Sequence, residues 1–222
     1  MKHYLIAAAL VASAPVLARD KVEPIDPAAS YVLVEVDRLE AAAMKGVNMP
    51  GSLTIAPYDR AAGDITGGKA ASRIVFFDKP VAKSKQGRQY LVKIAPATWV
   101  IEGASGTAFS LGSMTFEVKP GEVVDLGVVK PAVDWAEGEG PQSMAGGIMG
   151  AALFGSMKPK QMRPVRVDWR PRGAGDLPVP AILGARAVTP VAFLPDATFG
   201  NHLGGLVNRF GGRAARPGAA GN

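Results

Sequence analysis

Residues 89–130 read QYLVKIAPATWVIEGASGTAFSLGSMTFEVKPGEVVDLGVVK. Apolar and polar side chains alternate through most of this stretch, which predicts strands with one buried face. Two turn signals interrupt the alternation. The first is Pro96, and the second is KPGE at 119–122, in which proline followed by glycine suits a type II turn. The stretch therefore predicts two β-hairpins in succession.

Further short strands are predicted on both sides of this stretch. Residues 31–37 alternate valine with other side chains and predict a half-buried strand, whereas 73–77 predict a strand buried on both faces. Weaker strand patterns occupy 52–56, 165–169 and 188–194, the last at a sheet edge because Pro190 has no N–H to donate. This spacing predicts a mainly β fold. We expect an antiparallel β-sandwich of about seven strands with a Gly/Pro-rich, partly helical C-terminal extension.

A family resemblance rests on two motifs of the opening stretch. After the Pro96 turn comes WVIEG at 99–103, and FEVKPGEVVDLG follows at 116–127. Over residues 31–130 this pattern resembles uncharacterised exported bacterial proteins with a prealbumin-like, carboxypeptidase-regulatory-like β-sandwich domain. The chain departs from them at Ala97, where such modules usually have glycine, and at Trp99, where they usually have tyrosine. The resemblance implies the sandwich and supplies no catalytic residues.

The N-terminus has the pattern of a secretory signal peptide. Lys2 and His3 precede an apolar run at 5–17, and small residues before Arg19 predict cleavage after Ala18. The run is shorter than the roughly 20 residues that span a bilayer. We therefore expect export to the periplasm, with a position peripheral to a membrane as one option.

Composition constrains the chemistry of the chain. The 222 residues contain no cysteine, which excludes disulfides, thiolate metal sites and cysteine nucleophiles. The 27 glycines and 18 prolines favour many turns and few long helices. Charge is uneven, since ten basic and three acidic residues follow residue 157, which gives that segment a net charge of +7.

Changes in composition divide the chain into six parts. They are a signal peptide (1–18), a leader (19–29), a β-sandwich domain (30–134), a Gly/Pro-rich linker with short apolar and basic segments (135–180), a C-terminal segment with an edge strand and a short amphipathic helix (181–212) and a disordered tail (213–222).

Candidate catalytic and metal-binding patterns do not meet their chemical requirements. The loop GDITGGKA at 63–70 has the glycines and lysine of a phosphate-binding loop, but Ala70 replaces the hydroxyl that would hold magnesium, so a hairpin loop is favoured. His202 is the one histidine after the signal peptide, and it has no partner pattern for catalysis or zinc. Four aspartates lack the dense spacing of calcium sites. They are Asp59, Asp64, Asp125 and Asp134.

Two apolar sets are candidate contact surfaces. Aromatic side chains on the strands could form a carbohydrate platform, but their alternation with polar residues favours core packing. They are Phe76, Phe77, Tyr90, Trp99 and Phe116. A second set has helical spacing beside arginines, which suits either a helix that covers a sheet edge or one that lies on an anionic membrane. The expected contact residues are Phe199, Leu203, Leu206, Val207, Arg209, Phe210 and Arg213.

These patterns predict a non-enzymatic structural or interaction role in the cell envelope, with no cofactor and no metal. The expected partner is an envelope protein, an anionic membrane surface or a glycan, and nucleic acid is not expected outside the cytoplasm. The alternative is a carbohydrate- or peptide-binding module that uses the sandwich-end loops at 58–72 and 105–110.

Overall fold

The computed structural model describes residues 25–40, 48–67, 72–136, 138, 140, 163–200 and 206–212. These residues are mainly β, as predicted, and the short 3₁₀ turn Ala181–Leu183 is among the few departures from strand and loop. Their strands in chain order are β1 (Ser30–Asp37), β2 (Leu39–Glu40), β3 (Asn48–Met49), β4 (Leu53–Asp59), β5 (Asp64–Ile65), β6 (Ile74–Phe76), β7 (Ala82–Lys83), β8 (Gly87–Ile94), β9 (Ala97–Ala104), β10 (Thr107–Leu111), β11 (Ser113–Val118), β12 (Val123–Val133), β13 (Val165–Arg170), β14 (Val188–Pro190), β15 (Leu194–Ala197) and β16 (Leu206–Arg209).

Two main sheets are formed by these strands. The first sheet has the order β13-β12-β1-β8-β7, and β14 also pairs with β12. The second sheet has the order β15-β11-β9-β10-β16, with β4 beside β9 and β5 and β6 beside β4. The short strands β2 and β3 pair with each other.

One apolar core joins the two sheets. Val32, Val34 and Val36 of β1 point from the first sheet into this core. Ile55 and Ile101 enter it from the second sheet. Burial of each such aliphatic side chain contributes about 1.5–3 kcal/mol, so this shared core holds the sheets together.

The opening stretch, residues 89–130, connects the two sheets twice. Strand β8 pairs with β1 and β7, whereas β9 pairs with β4, β10 and β11. In the same way β11 belongs to the second sheet and β12 to the first. The two predicted hairpins are therefore wrong, because the flanking strands pair with distant segments and not with each other. The predicted turn at 119–122 is present, with Gly121 at φ 70° and Glu122 N–H bonded to the Lys119 carbonyl at 3.2 Å.

Several strand predictions are corrected by the observed pairing. Strand β1 is buried on both faces, with Glu35 only 3% exposed, because residues 171–187 cover its outer side. Strand β6 is not buried on both faces, since Val75 is 56% exposed. The pairings β1–β12, β12–β14 and β10–β16 are parallel, so the fold is not wholly antiparallel.

The C-terminal part of the described chain is extended. The predicted helix is wrong over Leu206–Arg209, because these residues form β16 on the free edge of β10, with Thr107 opposite Leu206. Periodicity over so few residues leaves helix and strand open, and the available sheet edge decides between them. Strand β13 confirms the prediction at 165–169. Strand β14 covers the first three residues of the strand predicted at 188–194 and lies at a sheet edge as expected. In the described part of the chain, no helix has the length and apolar character needed to span a membrane.

Candidate functional site

The residues predicted for membrane or partner contact are partly inside the fold. Phe199 is 6% exposed and packs with Ala56, Ile65 and Val100. The Phe210 ring contacts Phe109 edge to face at 5.7 Å.

The other residues of this set neither favour nor oppose contact with a membrane or partner. Leu206 and Val207 belong to β16, and Arg209 is exposed, while Leu203 and Arg213 lie outside the described residues. Contact of this set with a membrane or partner stays a prediction.

The aromatic set is mainly core. Trp99 is buried and its indole N–H bonds to the Ala95 carbonyl at 3.1 Å. Phe76, Tyr90 and Phe116 are also buried, which confirms core packing for these residues, whereas Phe77 is exposed. No platform of stacked exposed rings results from this arrangement within the described residues.

The aspartates of the 58–67 region serve its turn. Asp59 Oδ1 accepts hydrogen bonds from the backbone N–H groups of Ala61 and Ala62. Asp64 Oδ1 accepts from Ile65 at 2.9 Å and from Gly200 at 3.2 Å. Strand β5 pairs with β4, which confirms a hairpin here, while residues 68–70 of the glycine loop and His202 lie outside the described residues. The described part of the chain contains no cluster of three or more histidine, aspartate or glutamate side chains suited to a metal.

A buried ionic cluster, here the Arg172 clamp, lies on the outer face of the first sheet. It consists of Arg172, Glu35 and Asp125, with the two carboxylates on neighbouring strands. Arg172 Nε and Nη2 bond to the Asp125 carboxylate at 2.9 and 3.1 Å, and Nη1 bonds to Glu35 Oε2 at 3.0 Å. Nη1 also bonds to the Leu177 carbonyl at 2.9 Å. These four hydrogen bonds use most of the five N–H donors of the guanidinium.

The clamp fastens residues 171–187 to the sheet. Glu35 Oε2 accepts from Leu177 N–H at 3.1 Å, and Gln89 Nε2 donates to the carbonyls of Leu177 and Pro178. Asp125 Oδ1 accepts from Gly127 N–H, where β12 bulges against β1 and Gly127 has φ 76°. The side chains of the clamp therefore bind one another and the backbone of the same chain.

Burial and hydrogen bonding shift the pKa values of the carboxyl groups in and beside the clamp. Desolvation raises the pKa of Glu35, and burial likewise raises the pKa of Asp37 on the same strand. The hydrogen-bonded pair of Arg170 with Asp176 lowers the pKa of Asp176 from 3.8 to about 2. Removal of any one member of a buried guanidinium–carboxylate cluster leaves an uncompensated buried charge, which destabilises the fold. We therefore assign the clamp a structural role.

A second cluster, here the basic groove, lies where β12 continues beyond its partner β1. The β1–β12 ladder ends at the pair Val36–Val129, and the chain then leaves β1 toward β2. Beyond that point Pro131, which has no N–H, lies on β12. The groove has a volume of about 410 Å³. Its lining residues are Arg38, Glu40, Asn48, Lys130, Pro131, Ala132, Val133, Trp135 and Arg166.

Strand register explains how the cations meet in the groove. Lys130 lies opposite Asp168, and Ala132 lies opposite Arg166, so all four residues share one face of the first sheet. Because Val165 and Val167 enter the core, this is the outer face. Diagonal residues on such a pair of strands are about 7–8 Å apart, so Lys130 and Arg166 are diagonal neighbours, with Ala132 and Asp168 on the other diagonal.

The charge of the groove is compensated in part, since Asp168 lies opposite Lys130 and the charge of Lys130 also acts on Asp37. Arg38, Lys130 and Arg166 are exposed, and Glu40 is the single carboxylate among the lining residues. Arg166 approaches Asp168 at 3.5 Å, but both side chains are about half exposed, and such surface pairs contribute little. The groove can therefore attract an anion and bond to it.

Sequence reasoning did not identify the groove. Its cations come from the end of β1, from β12 and from β13, so only the strand pairing brings them together. The local signal was limited to the Lys-Pro at 130–131, where proline marks an open strand edge.

No protein-family model matches this chain, and no curated protein or solved structure is significantly similar to it. The prealbumin-like resemblance rests on the turn motifs alone and stays a prediction.

Proposed function

We propose that this chain is an exported, non-enzymatic protein of the cell envelope that binds an anionic ligand in the basic groove. The observation that carries the proposal is the convergence of Arg38, Lys130 and Arg166 at an open strand edge. Binding is proposed because the lining residues offer cations, an amide and one carboxylate, which hold a ligand but do not form a nucleophile–base pair.

The proposed body of the protein is a prealbumin-like β-sandwich. Two sheets that share one core support it, as do the two connections between sheets in residues 89–130. The signal-peptide pattern at 1–18 supports export, and a periplasmic position follows from that pattern.

Ligand affinity in the groove follows from the number of charged contacts. A hydrogen bond to a charged group contributes about 1.5–3 kcal/mol, so three of them give a Kd of roughly micromolar to millimolar. Salt weakens such exposed contacts, because the Debye length is only about 8 Å at physiological ionic strength.

Calorimetric titration with citrate tests the proposed function. The test variant removes Arg38, Lys130 and Arg166 together, and the matched control removes three exposed cations elsewhere, at Arg60, Lys83 and Lys85. We expect saturable binding that weakens with salt, a loss of at least about tenfold in the test variant and no change in the control. An equal loss in both variants, or no binding by the native chain, contradicts the proposal.

Export is tested separately by fractionating cells that produce the full chain and measuring the mass of the product. We expect a periplasmic protein that begins at Arg19. An intact N-terminus with the protein in the cytoplasm contradicts this part of the proposal.

Membrane contact through the C-terminal residues is a second candidate function, the alternative to groove binding. The +7 charge after residue 157 favours it, whereas the burial of Phe199 and the packing of the partly buried Phe210 against the core oppose it. Flotation of the full chain with phosphatidylglycerol vesicles, with Arg209→Ala in parallel, supports the alternative if the native chain floats and the variant floats less. Absence of the native chain from the vesicle fraction contradicts it.

A further inference from the structure

We propose that the ligand of the basic groove is an acidic saccharide, a sugar that carries a carboxylate. The inference rests on the proposed function and adds the ligand class. It is argued from the polar and apolar lining residues of the groove and from the spacing of its cations.

Glu40 and Asn48 argue against a purely inorganic or highly charged ligand. Both line the groove with the three cations. A carboxylate repels a phosphate or a polyphosphate chain, but it accepts hydrogen bonds from hydroxyl groups. The Asn48 amide both donates and accepts, which also suits hydroxyls. The mixed lining therefore favours a ligand that combines one anionic group with several hydroxyls.

The remaining lining residues are apolar. Ala132 shares the outer face with the cations, whereas Pro131 and Val133 alternate to the core side, opposite Val167 and Val165. Trp135 follows, with its backbone N–H bonded to the Val133 carbonyl at 3.0 Å. The C–H face of a sugar ring can pack on the short Ala132 side chain, whereas a small inorganic anion gains nothing from that contact. The volume of about 410 Å³ is in the range of small-molecule sites, roughly 300–1,000 Å³.

The spacing of the cations fits one ring with an acidic substituent. Lys130 and Arg166 are diagonal neighbours, and the short Ala132 side chain lies beside both on β12 and opposite Arg166, while Asp168 lies opposite Lys130. A ring over Ala132 can direct its carboxylate to either cation, and Arg38 approaches from the end of β1.

The test compares three probes by calorimetric titration of the full chain. They are trigalacturonate, its neutral trimethyl ester and citrate, which carries carboxylates but no ring. We expect trigalacturonate to bind at least about tenfold more tightly than either of the others, because only it supplies both the charge and the hydroxyl-bearing ring.

Glu40→Gln gives the sharper readout. Because Glu40 is exposed, the change does not disturb the core. Citrate and trigalacturonate each carry three carboxylates, so removal of the Glu40 charge favours both, whereas only trigalacturonate loses a strong acceptor for its ring hydroxyls. We therefore expect Glu40→Gln to reduce the preference for trigalacturonate over citrate by about tenfold. Lys83→Gln serves as the control and changes neither affinity.

The outcomes separate the two proposals. If citrate binds as tightly as trigalacturonate, or if Glu40→Gln leaves the preference for trigalacturonate unchanged, the saccharide inference is wrong and the anion-binding function stands. If neither anion binds, or if the neutral ester binds as tightly as the acid, both proposals are overturned.

Discussion

The Arg172 clamp and the basic groove occupy the same outer face of the first sheet, and both are built from arginine beside carboxylates. In the clamp, Arg172 is nearly buried and donates four hydrogen bonds to groups of its own chain. In the groove, Arg38 and Arg166 are exposed, and the ion pair of Arg166 with Asp168 is long at 3.5 Å.

The difference lies in what covers each cluster. Residues 171–187 lie over the clamp and supply its backbone partners, while the groove begins where β1 no longer covers β12. A cation satisfied by its own chain stabilises the fold, whereas an exposed cation at a strand edge retains its capacity to bind. Burial and partner count therefore distinguish the two roles where residue type does not.

The largest expected effect follows from removing the clamp arginine. Arg172→Ala should lower the free energy of unfolding by about 3–5 kcal/mol, because Glu35 and Asp125 would stay buried without their cation. Urea unfolding followed by tryptophan fluorescence measures the change. Arg172→Lys should give an intermediate loss, since an ammonium cannot make the two-pronged contact with Asp125.

The matched control is Arg166→Ala in the groove, for which we expect a change within about 0.5 kcal/mol. Equal losses for Arg172→Ala and Arg166→Ala would remove the distinction between clamp and groove.

The bulge that positions Asp125 should be the next most sensitive feature. Gly127 has φ 76°, and a Cβ there would meet the carbonyl oxygen of Arg170. Gly127→Ala should cost about 2–4 kcal/mol from backbone strain and crowding together. At Gly184 the φ of 57° is similar but the surroundings are open, so Gly184→Ala should cost only about 1–2 kcal/mol. Thermal unfolding compares the two, and a similar loss at both positions would exclude crowding as the cause.

Low pH should have a smaller effect on the free energy of unfolding, through Asp176 at the edge of the clamp. Asp176 has its pKa lowered to about 2 by Arg170, so its contribution to stability is complete above pH 4 and is lost as the pH falls toward 2. Glu35 and Asp37 have raised pKa values, and their unfavourable burial as anions is relieved by acid, which acts in the opposite direction.

Asp176→Asn isolates the first contribution. The difference in unfolding free energy between the native chain and Asp176→Asn should be greatest near neutral pH and should approach zero below pH 2. A difference that does not change with pH would show that the Arg170–Asp176 pair does not stabilise the fold.

The smallest effect on stability is expected in the groove itself. Alanine at Lys130 should change the free energy of unfolding by less than about 0.5 kcal/mol, because the side chain is exposed. The same change should weaken citrate binding by about tenfold. A loss of stability as large as that of Arg172→Ala would indicate a structural role for Lys130.

Local sequence predicted the strands better than their partners. Alternation at 31–37 and the turn chemistry of Pro120 and Gly121 correctly predict a strand and a reversal. Turn chemistry describes only the reversal, so it cannot distinguish a hairpin from a connection between two sheets. Burial of strands β8, β9, β11 and β12 against distant partners decides that question.

The two clusters were beyond local prediction for the same reason. Glu35 and Arg172 are 137 residues apart in the chain, and Lys130 meets Arg166 only through the β12–β13 register. The glycine loop carried a recognisable motif, yet Asp59 and Asp64 in and beside it prove to stabilise a turn. The most recognisable local pattern was therefore not the most informative about function.

The central claim is that the groove arginines are available to an anionic ligand and the clamp arginine is not. Arginine side-chain ¹H–¹⁵Nε NMR spectra, recorded while citrate is added to the full chain, test it directly. We predict that the Nε–H signals of Arg38 and Arg166 shift and saturate together, while that of Arg172 does not move and exchanges slowly with solvent. No saturable shift at Arg38 or Arg166, or an equal shift at the remote Arg60, would contradict the claim.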